Sequence, residues 1–257
     1  MHALQLPHLS SALRRFLIGL LSVAVLAALW HLTVVGLRVP AYLVPTPSAI
    51  LQAAIKNWNV LATQTGFTIG AAAVGLSAST LFAVGVAVAF SMSRRLAQAS
   101  LPVLIMFRST PVAAVAPIIM LFFGRGIMTS IAVVTIVSFF PLLVNVTRGL
   151  TAPDRNALEM MHVYGASRWQ QLRFVRIPFA LPYLFAGLRV AGATSILGAM
   201  LSEWITGSRG LGNLILDSSE MRETELLWAA VLTSVAIGLA VFWLTSACER
   251  RVLRWRA

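Results

Sequence analysis

Residues 153–182 read PDRNALEMMHVYGASRWQQLRFVRIPFALP. This stretch carries several arginines together with an aspartate, a glutamate and a histidine. The segments on either side are long, apolar and almost free of charge, which is typical of helices that cross a lipid bilayer. A charged stretch between two such segments is expected at the membrane surface, where it can contact another protein.

Capping signals divide this stretch into two short helices. Thr151 and Asp154 are spaced as an N-terminal cap pair for the first helix, and Gly165 is placed to end it in the left-handed conformation. Ser167 and Gln170 have the spacing of a capping box for the second helix. The apolar face predicted for the first helix consists of Ala157, Met160, Met161 and Tyr164.

The same stretch resembles the cytoplasmic coupling signature of bacterial ABC importer permeases, E-A-A-x3-G-x9-I-x-L-P. Glu159, Gly165 and Pro178 match this signature at the same spacing. Val175 and Ile177 are conservative replacements, and two methionines stand where the family usually has small residues. In that family the loop fits a cleft on the ATPase subunit.

The resemblance implies a methionine-importer-like permease fold and a docking surface for a cytoplasmic ATPase. The ATPase-coupling residues that it implies are Glu159, Gly165, Ala166, Ser167 and Arg168. Segments at 44–48, 123–126 and 140–145 are similar to the nitrate, sulfonate and taurine branch of these permeases. The substrate implied is a small organic or inorganic anion such as a sulfonate, taurine or nitrate.

Composition limits the class of protein. The chain has 257 residues, of which 58% are hydrophobic and 11% charged, whereas about a quarter are charged in a soluble domain. The formal net charge of +12 does not indicate nucleic-acid binding, because the arginines cluster at alternate loops. The composition therefore predicts a multi-pass membrane protein.

The apolar runs predict an all-α polytopic membrane protein with about six transmembrane helices. The predicted spans cover about residues 16–36, 62–92, 101–123, 127–147, 179–201 and 226–248. They form one permease domain, 16–248, with the coupling segment at 153–176, between an N-terminal tail, 1–15, and a C-terminal tail, 249–257. Pro111 and Pro117 are expected to interrupt the third span. The glycines expected to pack helices within this subunit are Gly66, Gly70, Gly75 and Gly85.

The arginine distribution predicts the orientation of the chain. Six spans place both termini on one side, and that side carries Arg14, Arg15, Arg94, Arg95, Arg148, Arg155, Arg168, Arg173, Arg176, Arg250, Arg251, Arg254 and Arg256. Positive charge accumulates on the cytoplasmic side of membrane proteins. Both termini and the coupling segment are therefore expected in the cytoplasm, with the chain in a bacterial inner membrane.

The sequence gives no indication of an enzyme. It has no Gly-x4-Gly-Lys-Ser/Thr phosphate loop, and Gly207–Gly212 does not follow a strand as a dinucleotide motif would. Its single cysteine, Cys248, and its scattered histidines do not have metal-ligand spacing. We expect no cofactor and no metal, with ATP bound by a separate ATPase subunit.

Three charged residues in or beside the spans are candidates for the translocation path. Arg108 lies in the third span, and Arg189 lies close to the middle of the fifth. A charge at that depth costs at least about 2.5 kcal/mol on insertion scales, so it normally faces the bundle interior. Arg108 can also snorkel to the interface, and Arg189 can bond to carbonyls or to a neighbouring helix. Glu203, at the outer end of the fifth span, either supports an outer gate or faces water.

These observations favour the permease subunit of an ATP-driven importer. The expected partners are cytoplasmic ABC ATPase subunits, a second permease (most simply another copy), a periplasmic substrate-binding protein and the lipid bilayer. The alternative is a stand-alone secondary transporter or channel, which would transport without an ATPase. A membrane enzyme is the third class, and it would show turnover by the isolated chain.

Overall fold

The computed structural model describes residues 11–109 and 111–254; the side chains of residues 11–16, 20, 94, 101, 103, 105 and 107–109 lie outside this description. Every regular element in these ranges is a helix, which confirms the predicted all-α class. The helices are α1 (Ser11–Gly36), α2 (Pro47–Lys56), α3 (Trp58–Met92), α4 (Arg94–Ser109), α5 (Val112–Phe123), α6 (Ile127–Thr151), α7 (Arg155–Val163), α8 (Arg168–Gln171), α9 (Ile177–Thr206), α10 (Leu211–Glu220) and α11 (Thr224–Val252). A π-helical turn, Leu172–Arg176, joins α8 to α9.

Five helical segments of the described chain are long and apolar enough to cross a membrane. They are Leu17–Gly36, Trp58–Met92, Ile127–Thr151, Arg168–Thr206 and Thr224–Val252. The remaining predicted span, the third at 101–123, is divided between α4 and α5. The division falls at Pro111, which is extended (φ −65°, ψ 121°), because proline has no N–H to continue a helix. The expected second interruption is wrong, since Pro117 lies inside α5.

The centre of the protein is a three-helix core of α3, α6 and α9. Small side chains let these helices approach closely: Ala83 and Ala87 of α3 and Ala191 of α9 are fully buried. In lipid, where apolar burial gives little driving force, such close packing is a main source of helix association. The core connects the coupling segment at one end to α10 at the other.

Only one of the four glycines expected to pack α3 does so within this subunit. A Cβ added at Gly75 would lie 2.6 Å from Val134 of α6, whereas one added at Gly66, Gly70 or Gly85 would meet nothing within 4 Å. The difference arises because Gly75 alone faces α6. The other three glycines face open space in this subunit.

Outside the core, the long helices expose apolar side chains on their surfaces. Leu26 and Leu32 of α1, Leu81 of α3 and Trp243 of α11 are all more than half exposed. Helix α1 is the most peripheral, and its Trp30 ring packs against Trp228 of α11 with centroids 5.3 Å apart. Such surfaces are those of a protein whose solvent is lipid.

Candidate functional site

The first short helix of the coupling segment (residues 153–176) begins one turn later than the sequence suggests. Helix α6 continues to Thr151, whose hydroxyl donates to the carbonyls of Thr147 and Arg148. The N-cap of α7 is therefore Asp154, whose carboxylate accepts the amide N–H of Asn156 at 3.4 Å. The prediction of Thr151 as the cap is wrong, because its hydroxyl is used by the preceding helix.

The turn between the two short helices depends on Gly165. Its φ of +77° is left-handed, as predicted. The Ala166 N–H donates to the Met161 carbonyl and the Gly165 N–H to the His162 carbonyl, both at 2.9 Å. This pair of bonds is a Schellman motif, which ends a helix and reverses the chain. Most residues other than glycine adopt this backbone conformation only at a cost of about 1–2 kcal/mol.

The second short helix is capped as the sequence predicts. Ser167 accepts the Gln170 N–H, and the Gln170 side chain accepts the Ser167 N–H, so both halves of the capping box are present. From Arg168 the chain continues through the π-helical turn into α9 and remains helical to Thr206, over 39 residues. At 1.5 Å per residue this rod is roughly 58 Å long.

Apolar side chains on the coupling segment face outward. Val163 is 84% and Tyr164 82% exposed, and Met160, Trp169 and Phe174 are also exposed. The predicted apolar face is thus mostly uncovered within this chain, and only Met161 among its members is half-buried. Exposed aromatic and methionine side chains beside arginines are the residue types enriched in protein interfaces.

A cleft of about 570 Å³ lies between α7 and α8. Four of the five predicted coupling residues line it, namely Glu159, Ala166, Ser167 and Arg168. Gly165 forms the turn beside it. Glu159 pairs across one helical turn with Arg155, Nε to Oε1 at 2.7 Å, and both side chains are largely exposed. Such an exposed pair contributes little to stability, so these charges remain available to a partner.

The structure pairs Arg189 with a carboxylate that sequence reasoning missed. Its guanidinium forms a hydrogen-bonded ion pair with Glu249, about one turn before the end of α11. Both side chains are mostly buried, at 31% and 20% exposure. Arg189 therefore contacts a neighbouring helix, one of the alternatives open from the sequence. The Arg108 side chain lies outside the described residues.

Glu203 is buried rather than facing water, with 1% of its surface exposed. Its Oε2 accepts the Gly212 N–H at 2.9 Å and the Thr68 hydroxyl at 3.0 Å. The Thr68 Oγ1 in turn accepts the Leu211 N–H at 2.9 Å, and Gln64 Oε1 accepts the Gly210 N–H at 2.7 Å. Sequence reasoning missed both α3 residues, although Gln64 and Thr68 stand one turn apart in an apolar helix.

We expect the Arg189–Glu249 pair to be structural. Arg189→Gln and Glu249→Gln should each lower the melting temperature, because each leaves one partly buried charge unpaired, while the double variant should recover most of the loss. Interhelical polar pairs in membranes contribute roughly 0.6 kcal/mol on average and up to about 1.7. The measurement is a double-mutant cycle of thermal melting together with solute uptake. A stable double variant that no longer transports would place Arg189 in the path instead.

The sequence of this chain is similar to those of known transport permeases. The profile of a family described as "Binding-protein-dependent transport system inner membrane component" matches residues 79–254. The riboflavin transport system permease protein RibX of Chloroflexus aurantiacus is 33% identical over 90% of this chain and 87% of its own length. SsuC of Bacillus subtilis, a permease named for aliphatic sulfonates transport, is 30% identical over 93% of this chain and 87% of its own.

A solved structure shares the fold. A chain of the MetNI methionine ABC transporter, in inward-facing conformations, superposes with a TM-score of 0.69 at 17% identity. The match covers 77% of this chain and 98% of the solved one. The predicted methionine-importer-like permease fold is therefore confirmed.

Proposed function

Because this chain belongs to the family of binding-protein-dependent transport system inner membrane components, we propose that its coupling segment docks a cytoplasmic ABC ATPase that drives import. The observation that carries this proposal is the cleft between α7 and α8. Glu159, Ala166, Ser167 and Arg168 line it, and Tyr164 and Trp169 of the same segment have exposed aromatic side chains. Apolar groups rimmed by charge are typical of a protein-docking surface.

The helical rod supports a mechanism for coupling. Because Arg168–Thr206 is helical without a break, a displacement of α8 by the ATPase moves the whole length of α9. Helix α9 is packed in the core with α3 and α6, so these helices would rotate as one body. ATP binding would thereby switch the path from inward-facing to outward-facing by rigid-body movement. A second permease, most simply another copy of this chain, would form the other wall of the path.

For the substrate we propose a small solute delivered by a periplasmic binding protein, with sulfonates, taurine and nitrate as the first compounds to test. The similarity to SsuC supports the anion class, and the similarity to RibX makes riboflavin the compound to compare with the anions. The compounds are distinguished by which of them inhibit solute uptake. Inhibition by riboflavin alone would contradict the anion proposal.

The orientation proposed from the arginine distribution can be tested by labelling. In cells, Ser219→Cys should react with a membrane-impermeant thiol reagent and Ser93→Cys should not, both on a Cys248→Ser background. Both positions are exposed. Ser219 lies near the end of α10 and Ser93 between α3 and α4. Labelling at 93 but not at 219 would reverse the orientation.

The proposed function itself is tested by co-purification. The tagged chain is expressed with candidate ABC ATPases from the same genome, and one of them should be retained through purification. Leu81→Ala changes an exposed apolar side chain of α3, outside the coupling segment. It is the control that should retain the same ATPase. Solute uptake by the chain without any ATPase would instead support a stand-alone transporter.

A further inference from the structure

Three successive backbone N–H groups at the start of α10 are each accepted by a side chain of another helix. Gln64 accepts from Gly210, Thr68 from Leu211 and Glu203 from Gly212. A helix leaves its first N–H groups without partners of its own, and its N-terminus carries partial positive charge. The buried Glu203 carboxylate accepts one of these N–H groups and also places negative charge beside the positive end of the helix.

The backbone of α10 is docked against α9 too closely for side chains to intervene. A Cβ added at Gly210 would overlap the Glu203 carboxylate, and one added at Gly212 would overlap the Met200 carbonyl oxygen. Leu211 and Leu214 are buried in the same core cluster as Ala71 of α3 and Ala199 of α9. Helix α10 is therefore fixed to α3 and α9 by both polar bonds and packing.

Glu203 stands at the far end of the rod from the coupling segment. It lies three residues before α9 ends at Thr206, and the left-handed Gly207 (φ +62°) turns the chain towards α10. The rod that begins at Arg168 thus ends in the carboxylate that holds α10. Its other oxygen, Oε1, has no hydrogen-bond partner in the described part of the chain.

We infer that Glu203 is a positioning residue that latches α10 to α3 and α9, so that movement of the coupling segment is carried to α10 at the opposite end of the core. This inference rests on the proposed function. Without the Glu203 bonds, the ATPase still docks and moves α9, but α10 is held only by the Gln64 and Thr68 bonds and by packing, and it follows α9 less closely. The expected consequence is ATP hydrolysis that is uncoupled from transport.

The test compares Glu203→Ala with Glu203→Gln in the permease–ATPase complex. Glu203→Ala should keep ATPase retention and ATP hydrolysis, while uptake in proteoliposomes falls roughly tenfold to a hundredfold, the range for losing a hydrogen bond to a charged group. Glu203→Gln should restore much of the uptake, because an amide oxygen can still accept from Gly212 and Thr68. Glu220→Ala, an exposed carboxylate at the other end of α10, is the matched control and should transport normally.

Amide hydrogen exchange gives a readout that does not depend on transport. Exchange at residues 210–212 should rise in Glu203→Ala and rise less in Glu203→Gln, since these amides make the latch bonds themselves. Thr68→Val, with Thr68→Ser as its control, repeats the test if Glu203→Ala does not fold. Unchanged protection of 210–212, or normal uptake by Glu203→Ala and Thr68→Val, would overturn the latch. Failure of the unaltered chain to transport with its ATPase would contradict the proposed function and leave the exchange result to decide the latch.

Discussion

Gly165→Asp should release the ATPase from the permease and abolish uptake, while the transmembrane core stays folded. Gly165 is left-handed, a conformation that costs most residues about 1–2 kcal/mol and aspartate less than most. The new carboxylate would also lie in the proposed interface, beside the cleft that contains Glu159. Burying this charge in the interface without a partner costs about 2 kcal/mol or more, which weakens docking at least roughly 30-fold. The measurement is ATPase retention by the tagged permease, alongside uptake.

Two variants separate backbone strain from charge and from general damage. Gly165→Asn has nearly the shape of aspartate, carries no charge and tolerates the left-handed region well, so it should retain more ATPase than Gly165→Asp. Gly207→Asp places the same residue at another left-handed glycine with open space around it, at the end of α9 far from the coupling segment. It should retain the ATPase fully. Equal retention by Gly165→Asp and Gly207→Asp would show that the turn is not part of the docking surface.

Gly75→Val should strongly destabilise the three-helix core. The valine Cβ would lie 2.6 Å from Val134 and 2.9 Å from the Ile131 carbonyl oxygen, so α3 and α6 would have to separate. Overpacking of this kind costs typically 1–3 kcal/mol, and here one of the two obstacles is backbone. We expect a loss near the upper end, about 3 kcal/mol, which lowers the melting temperature by roughly 6–12 °C.

The control for this prediction is on the same helix. At Gly85, also in α3, an added Cβ meets nothing within 4 Å, so Gly85→Val should melt like the unaltered chain. Thermal melting of the purified permease in detergent measures both variants. A Gly75→Val permease that melts with Gly85→Val would contradict the close packing of α3 against α6.

Local features of the coupling segment were predictable because caps and turns depend on neighbours in the sequence. Gly165 adopts the predicted left-handed turn, and Ser167 with Gln170 forms the predicted capping box. The prediction of Thr151 as a helix cap is wrong because of the preceding helix, α6, and not because of residues in α7. Helix α6 extends further than its apolar run suggests, and Thr151 hydrogen-bonds back into it.

Tertiary pairings could not be obtained from the sequence in the same way. Arg189 and Glu203 were recognisable as charged groups in or beside an apolar span, but nothing local identifies Glu249 or Thr68 as their partners. Likewise Gly75 is indistinguishable in sequence from the other glycines of α3, because only the approach of α6 gives it a role. Burial also excludes the alternative that Glu203 faces water, since its carboxylate contacts the start of α10.

This chain should transport only when an ATPase is docked on its coupling segment. The most direct measurement is solute uptake into proteoliposomes that contain the permease, with its ATPase, ATP and the substrate-binding protein each omitted in turn. Uptake should require all three and should be lost in Gly165→Asp but not in Glu220→Ala. Uptake that continues at the same rate without ATPase and ATP would contradict ATPase-driven import and identify a stand-alone transporter.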